Sequence, residues 1–276
     1  MQSVTLPDGR RVTLGERTSG GSKNHTRFGT LPAGRPVVVK QQANHGRLRH
    51  EAIALTYAAG CGLRVPRVID AWRPPEGGYC LVLTREAGVR THQAAGWRRM
   101  GFDLARLVAA PIDDCPLPHV GAEQFATDHL ERLAAVRSLI NDHADRVAAA
   151  VRHIATGRAT LTHGDPGSGN YLDHEGGGTI LDWETASLAP FGIDIGRAAF
   201  IALLDNGNTG IPEELRTAVV AGYRARLPAP LDEVTITAGM IVAGLQFIHG
   251  RHTQPLRSDR TAKQAVDALI GFIHRQ

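Results

Sequence analysis

Between Leu161 and Glu184 the chain reads LTHGDPGSGNYLDHEGGGTILDWE, and its polar residues are of kinds that can move a phosphoryl group. His163 and Asp165 lie on a stretch rich in Gly, Pro and Ser, and Asn170 closes it. Two apolar runs follow, Tyr171-Leu172 and Ile180-Leu181, joined by a Gly-rich turn over Glu175 to Gly178. If they pair as an antiparallel hairpin, Asn170 at the start of the first and Asp182 at the end of the second come to one end. Asn and Asp oxygens meeting at a point suit Mg²⁺, which takes hard oxygen ligands and keeps waters and substrate phosphates in its shell. Asp165, just upstream and off the metal, supplies the further carboxylate that orients a hydroxyl nucleophile.

The catalytic loop of protein kinases divides its labour in this way, with Asp as base, Asn on a metal and a later Asp on the metals. HGDPGSGNYL followed by ILDWETASLAPFGIDIGRAA closely resembles the aminoglycoside phosphotransferase and choline kinase family of small-molecule kinases. The matching residues are His163, Gly164, Asp165 and Asn170, then Asp182, Trp183 and Glu184, then Gly192 and Asp194. In the family an acid–proline pair usually follows that glycine, whereas here the order is Pro190, Phe191, Gly192. The resemblance is strongest over 161–197, moderate over 15–110 and weak after about 200.

The resemblance implies an α+β, bilobal protein-kinase-like fold. A small antiparallel-sheet N-lobe with one helix would span 1–85, and a larger, mainly helical C-lobe 86–276. It implies ATP and Mg²⁺ as cofactors. Asp165 would accept a hydrogen bond from the acceptor hydroxyl, with His163 bracing the loop, and Asn170 and Asp182 would hold the metal. Lys40, ending the β-branched run Val37-Val38-Val39, resembles the strand lysine that contacts the α- and β-phosphates. Glu51, on the helix that follows, would pair with it. Ser22 and Lys23 would tip a loop over the phosphates, where Gly and Ser let backbone N–H groups come close. Thr84, Arg85 and Ala87 would form the hinge that binds adenine. Asp194 reads as a structural brace beneath the loop, and Glu184 could face nucleotide or acceptor.

The elements that must position these residues are visible in the patterning. Val4 to Leu6 and Arg11 to Leu14 flank a Pro-Asp-Gly turn, as in a hairpin. Arg49 to Tyr57 reads as a helix with Ile53, Leu55 and Tyr57 as its apolar positions, stopped by Gly60 and Gly62. Val65 to Trp72 and Tyr79 to Thr84 read as strands around a Pro-Pro-Glu-Gly-Gly turn. After that, apolar residues recur at helical spacing: Trp97 to Val108, Phe125 to Ile140, Val147 to Ile154, Ile195 to Leu204, Leu215 to Leu227, Val234 to Ile248 and Val266 to Ile273. His129 lies on one of these stripes and reads as packing.

Composition narrows the function classes. The 276 residues are 42% hydrophobic and 21% charged, as in ordinary globular proteins. No apolar run is long enough for a membrane span, and the start lacks a signal-peptide core, so a cytoplasmic protein with no membrane partner is expected. Cys61, Cys80 and Cys115 form neither a disulfide framework nor a zinc knuckle. The net charge of +4 comes with scattered arginines and only 5% aromatics, which does not suit nucleic acid. Only Lys23, Lys40 and Lys263 are lysines among 31 basic residues, so a retained lysine is informative at a compact phosphate site. No GxxxxGK[ST] is present, His249 and His252 enclose no Glu, and HRD, DFG and APE are absent; P-loop enzymes, zinc proteases and protein kinases are thereby set aside.

The partner expected is a small hydroxylated acceptor, with the enzyme a monomer or weak homodimer. From Ile195 onward the chain carries seven acidic and nine basic residues, which does not favour a highly cationic acceptor. An antibiotic of aminoglycoside, nucleoside or peptide type is the first reading. A choline, homoserine or sugar kinase is the second, and a nucleotide-binding pseudokinase the third.

Overall fold

A computed structural model describes residues 2–18, 25–43, 46–75, 77–174, 176–204, 212–227, 230–253 and 259–275. The chain opens with strands β1 (Ser3–Thr5), β2 (Arg11–Arg17), β3 (His25–Thr30) and β4 (Pro36–Gln42), then helix α1 (Gly46–Gly60), then β5 (Val68–Trp72) and β6 (Tyr79–Thr84). They form one antiparallel sheet in the order β1-β2-β3-β4-β6-β5. β6 is apolar from Cys80 to Leu83 because that stretch is buried on both faces. Cys80 and Val82 join Leu6, Val12, Val37 and Val39 in a small core, while Leu81 and Leu83 face α1. The same alternation in β4 puts Val38 and Lys40 on the α1 side.

The buried residues of α1 are Leu48, Glu51, Ala52, Ala54, Leu55 and Ala58. Ile53 and Tyr57, expected as apolar anchors, are only partly buried. The helix is turned so that an acid, Glu51, sits in the middle of its apolar face. Its partner on β4 explains why.

The remainder is a helical platform that carries short strands. In chain order these are β7 (Val89–Arg90), α2 (Ala94–Val108), α3 (Ala122–Ile140), α4 (Ala144–Ala155), β8 (Ala159–Thr162), β9 (Tyr171–His174), β10 (Gly177–Ile180), β11 (Ser187–Pro190), α5 (Ile193–Leu204), α6 (Pro212–Arg224), α7 (Glu233–His252) and α8 (Asp259–His274). The expected hairpin is β9–β10, with Ile180 opposite Tyr171. β10 starts at Gly177, inside what reads in sequence as the turn. β7 on β9 and β11 on β8 are additions. Neither has an alternating pattern of its own, so only the partner strand defines it. Pro190 ends β11, and Gly192, at φ +97°, turns the chain into α5.

Two helix crossings are set by glycine. A Cβ on Gly101 of α2 would lie 2.0 Å from the Val219 carbonyl oxygen of α6. A Cβ on Gly196 of α5 would lie 2.1 Å from the Gly239 carbonyl carbon of α7. Among the described residues no helix is long and apolar enough to cross a membrane, and the three cysteines are free thiols.

Gly196→Ala should therefore force α5 from α7 and lower the unfolding free energy by ~1–3 kcal/mol, read as an earlier urea midpoint. Gly250→Ala, in the same α7 helix but with nothing within 4 Å of the added methyl, is the control and should be neutral or stabilising.

Candidate active site

The loop from His163 to Asn170 leaves β8 and is held chiefly through its backbone. Asp194, in the first turn of α5, accepts the N–H of His163 at 2.7 Å and of Gly164 at 3.0 Å. Asp194 is buried, and burial pushes its carboxyl above the ordinary range, against the pull of His163 and the two amides. Thr185 Oγ1 donates to the His163 carbonyl at 3.0 Å. Gly164 has φ +80°, and a Cβ there would lie 2.6 Å from the Thr185 carbonyl oxygen, so glycine is required.

His163 is fully enclosed and meets the Trp183 ring edge-on at 5.2 Å. Its Nε2 donates to the Leu181 carbonyl at 2.7 Å, which leaves Nδ1 to accept the Asp165 N–H at 3.3 Å. The histidine thus ties the loop to the end of the β9–β10 hairpin and is closed to solvent.

At that hairpin end Leu181 N–H donates to the Asn170 carbonyl at 2.8 Å, which brings Asn170 beside Asp182. Asn170 Nδ2 donates to the Asp165 carbonyl at 2.9 Å and to Asp165 Oδ2 at 3.3 Å. A carbonyl can only accept, so the amide orientation is settled: the NH₂ faces Asp165 and Oδ1 faces away. Asp182 adopts φ 61°, a left-handed conformation that Asp tolerates better than most residues.

From β4, Lys40 Nζ donates to Glu51 at 2.7 and 2.9 Å and to Asp182 Oδ1 at 2.9 Å. Lys40 and Glu51 are both buried. Burial draws the Lys40 ammonium down, but Glu51 and Asp182 outweigh it and the net shift is upward. Burial pushes Glu51 up to about 7, with Lys40 opposing.

The donor set fits a hard cation. Asp182 and Asn170 Oδ1 offer one carboxylate and one amide oxygen, and among the described residues no group of three or more His, Cys, Asp or Glu could hold a metal by itself. A cation here would complete its shell with water or phosphate, as Mg²⁺ does.

The other expected site residues are more dispersed. Thr84 gives its N–H to the Arg67 carbonyl, accepts the Arg67 N–H on Oγ1 and donates that hydroxyl to Glu86, so it serves the sheet edge. Arg85 stacks its guanidinium 4.0 Å over Phe28, and Ala87 is exposed. Ser22 and Lys23 lie outside the described residues. Glu184 is paired with Arg47 of α1 at 3.3 Å. His129 is buried packing, with Nδ1 on the Phe125 carbonyl.

One residue at this site escapes sequence reasoning. Arg197 donates from Nε to Asp165 Oδ1 at 3.0 Å, and Nη2 contacts the same oxygen. The available signal was its place three residues after Asp194, hence on the same helix face.

A model of the phosphotransferase enzyme family matches residues 15–234, a span that holds every residue of this constellation. The chain belongs to the phosphotransferase enzyme family. Its fold is shared by several solved structures. The amicoumacin kinase hAmiN, in complex with AMP-PNP, Ca²⁺ and Ami, superposes with a TM-score of 0.67 at 13% identity, covering 99% of this chain and 90% of that one. A thermostable variant of aminoglycoside phosphotransferase APH(4)-Ia with AMP-PNP and hygromycin B gives 0.70 at 15% identity, covering 95% and 94%. Macrolide 2'-phosphotransferase MphH from Brachybacterium faecium gives 0.62 at 17%, covering 93% and 91%. A comparison with curated proteins gave no match. For this phosphotransferase the antiparallel sheet with α1, and the helical remainder, are the expected α+β architecture.

Removing one member of the buried ion pair should be costly and pH-dependent. Lys40→Met leaves Glu51 enclosed without its counter-charge and should lower stability by ~3 kcal/mol near neutral pH. Glu51's folded pKa lies above its unfolded one, so the folded state binds the extra proton and stability falls as pH rises between about 4.5 and that folded value. Urea midpoints of Lys40→Met should thus improve from pH 7.5 to 5.5, and Lys40→Met/Glu51→Leu should lose that pH dependence and regain most of the stability.

Proposed function

We propose that this phosphotransferase moves the γ-phosphoryl group of ATP to a hydroxyl of a small molecule, and that its acceptor is an antibiotic. The observation that carries the reading is the convergence of Asp165, Asn170 and Asp182 at one hairpin end, facing an ammonium, Lys40, already fixed by Glu51. We take 1–85 and 86–276 as the two lobes, with the cleft between them and residues 85–87 as the hinge for the base. Asp165 orients the acceptor hydroxyl through Oδ2 and takes its proton late in the transfer. His163 keeps that loop in place from behind. Asn170 and Asp182 would hold Mg²⁺, which when bound offsets charge on the phosphates. Lys40 would reach the α- and β-phosphates, exchanging its contact with Asp182 for them. Ser22 and Lys23 would cover the phosphates.

AMP-PNP in two of the similar structures supports ATP as donor. Amicoumacin, hygromycin B and macrolide appear in the names of the relatives, so one fold serves acceptors of unlike chemistry. The even charge of the C-terminal part and the Arg197–Asp165 pair argue against a polycation and for a neutral or modestly charged antibiotic. We place the protein in the cytoplasm, where ATP and Mg²⁺ are supplied, as a monomer or weak homodimer.

The test is ADP release with Mg·ATP across hydroxylated acceptors: aminoglycosides, nucleoside and peptide antibiotics, macrolides, choline and homoserine. One antibiotic class should stimulate turnover, and Asp165→Ala should lose at least ~10²-fold in kcat. Asp182→Ala should weaken the dependence on Mg²⁺ concentration. Stimulation by choline or homoserine alone would move the acceptor to primary metabolism, and failure to bind Mg·ATP would sink the reading.

A further inference from the structure

Arg197 is anchored, not merely adjacent to Asp165. Its side chain is 18% exposed, against 46% for Asp165. Beyond the carboxylate, Nη1 donates to Gln246 Oε1 on α7 at 3.2 Å. Gln246 Nε2 lies 2.8 Å from His129 Nε2 on α3, and His129 Nδ1 lies 2.7 Å from the Phe125 carbonyl.

Chemistry fixes the direction of every link. The Phe125 carbonyl can only accept, so Nδ1 carries the hydrogen. Burial holds His129 down to about 4, so the ring is neutral and Nε2 accepts. Gln246 must then donate through its NH₂ and accept from the guanidinium through Oε1. The glycine contact of Gly196 with Gly239 brings α5 and α7 close enough for this chain to close. Arg197, on α5, is therefore held from behind by two further helices, α7 and α3.

On the cleft side Nε and Nη2 both reach Oδ1 of Asp165. Oδ2 keeps only the 3.3 Å contact to Asn170 among the described residues. α5 thus grips the loop twice on one face, the backbone through Asp194 and the carboxylate through Arg197. A guanidinium fixed on one oxygen aims the other, and its charge balances the carboxylate beside the acceptor.

We propose that Arg197, braced by Gln246 and His129, is the residue that presents Asp165 Oδ2 to the acceptor hydroxyl and sets the acceptor subsite near electrical neutrality, so that a hydroxyl on an uncharged part of the molecule is selected. The proposal rests on the phosphotransferase reading above.

Two readouts test it, on the full chain with folding verified by Tm and by Mg·ATP binding. In transfer to whichever acceptor supports turnover, or in slow ATP hydrolysis with water as acceptor, Arg197→Ala should lose ~10²-fold in kcat with KM for ATP unchanged. Arg197→Lys should recover part of the loss, and millimolar guanidinium should rescue Arg197→Ala but not Asp165→Ala. In calorimetry, which needs no turnover, Arg197→Ala should bind a hydroxylated polycation such as an aminoglycoside at least ~5-fold more tightly than the wild type, with a neutral nucleoside unchanged, as expected when one desolvated like charge is removed. Unchanged kcat together with unchanged polycation affinity overturns the proposal, and so does a rise in kcat. Loss of Mg·ATP binding by the wild type would instead overturn the phosphotransferase reading, with the calorimetric arm still deciding the charge of the subsite.

Discussion

A carboxylate cannot be buried without partners, and Asp194 finds its partners in the main-chain N–H groups of His163 and Gly164. That constraint places the loop from His163 to Asn170. The acid is on the first turn of α5, so the loop has one position relative to that helix. The helix in turn has one position relative to α7, because Gly196 and Gly239 leave no space for a side chain between them. The next links are local: the enclosed His163 ties the loop to Leu181, and Asn170 is fixed against the Asp165 carbonyl. A site whose residues sit on a loop becomes rigid because its backbone polar groups are satisfied by a buried helix terminus and a hairpin end.

The opposite wall depends on a second buried charge. Lys40 is shared between Glu51, also buried, and Asp182, which is partly exposed. The first pair joins the sheet to α1; the second joins the sheet to the hairpin end. The two contacts differ in permanence. Glu51 is enclosed and has Lys40 as its nearest cation, so that pair is costly to break. Asp182 is more exposed than Glu51, so its contact with Lys40 is better screened by water and costs less to break. The ammonium is thus fixed by one enclosed acid and shared with a second, more exposed one.

Charge is balanced around Asp165 as well. An isolated carboxylate there would draw cations, but Asp165 is matched by a guanidinium whose other face is tied into the helical core. Similarity to the solved structures at 13–17% identity extends to the fold alone.

Much of the site was legible in the chain itself. The spacing of Asp165, Asn170 and Asp182 around two apolar runs foretold a hairpin with its oxygens at one end, because strand pairing across a short turn is a local matter. The run ending at Lys40 and the helix holding Glu51 were visible for the same reason, and α2 to α8 followed from helical periodicity. What remained hidden depended on packing between distant segments. β7 and β11 exist only because β9 and β8 lie beside them. On α1 the expected Lys40–Glu51 pair is present, but Ile53 and Tyr57 are only partly buried, since how deep a helix face sits is set by the sheet it packs on. The hold of Lys40 on Asp182, and of Arg197 on Asp165 with Gln246 and His129 behind it, joins residues that no local pattern connects. The sequence by itself determined which groups could do the chemistry; the tertiary structure decided which charges face each other, because electrostatic pairing follows distance in space and not along the chain.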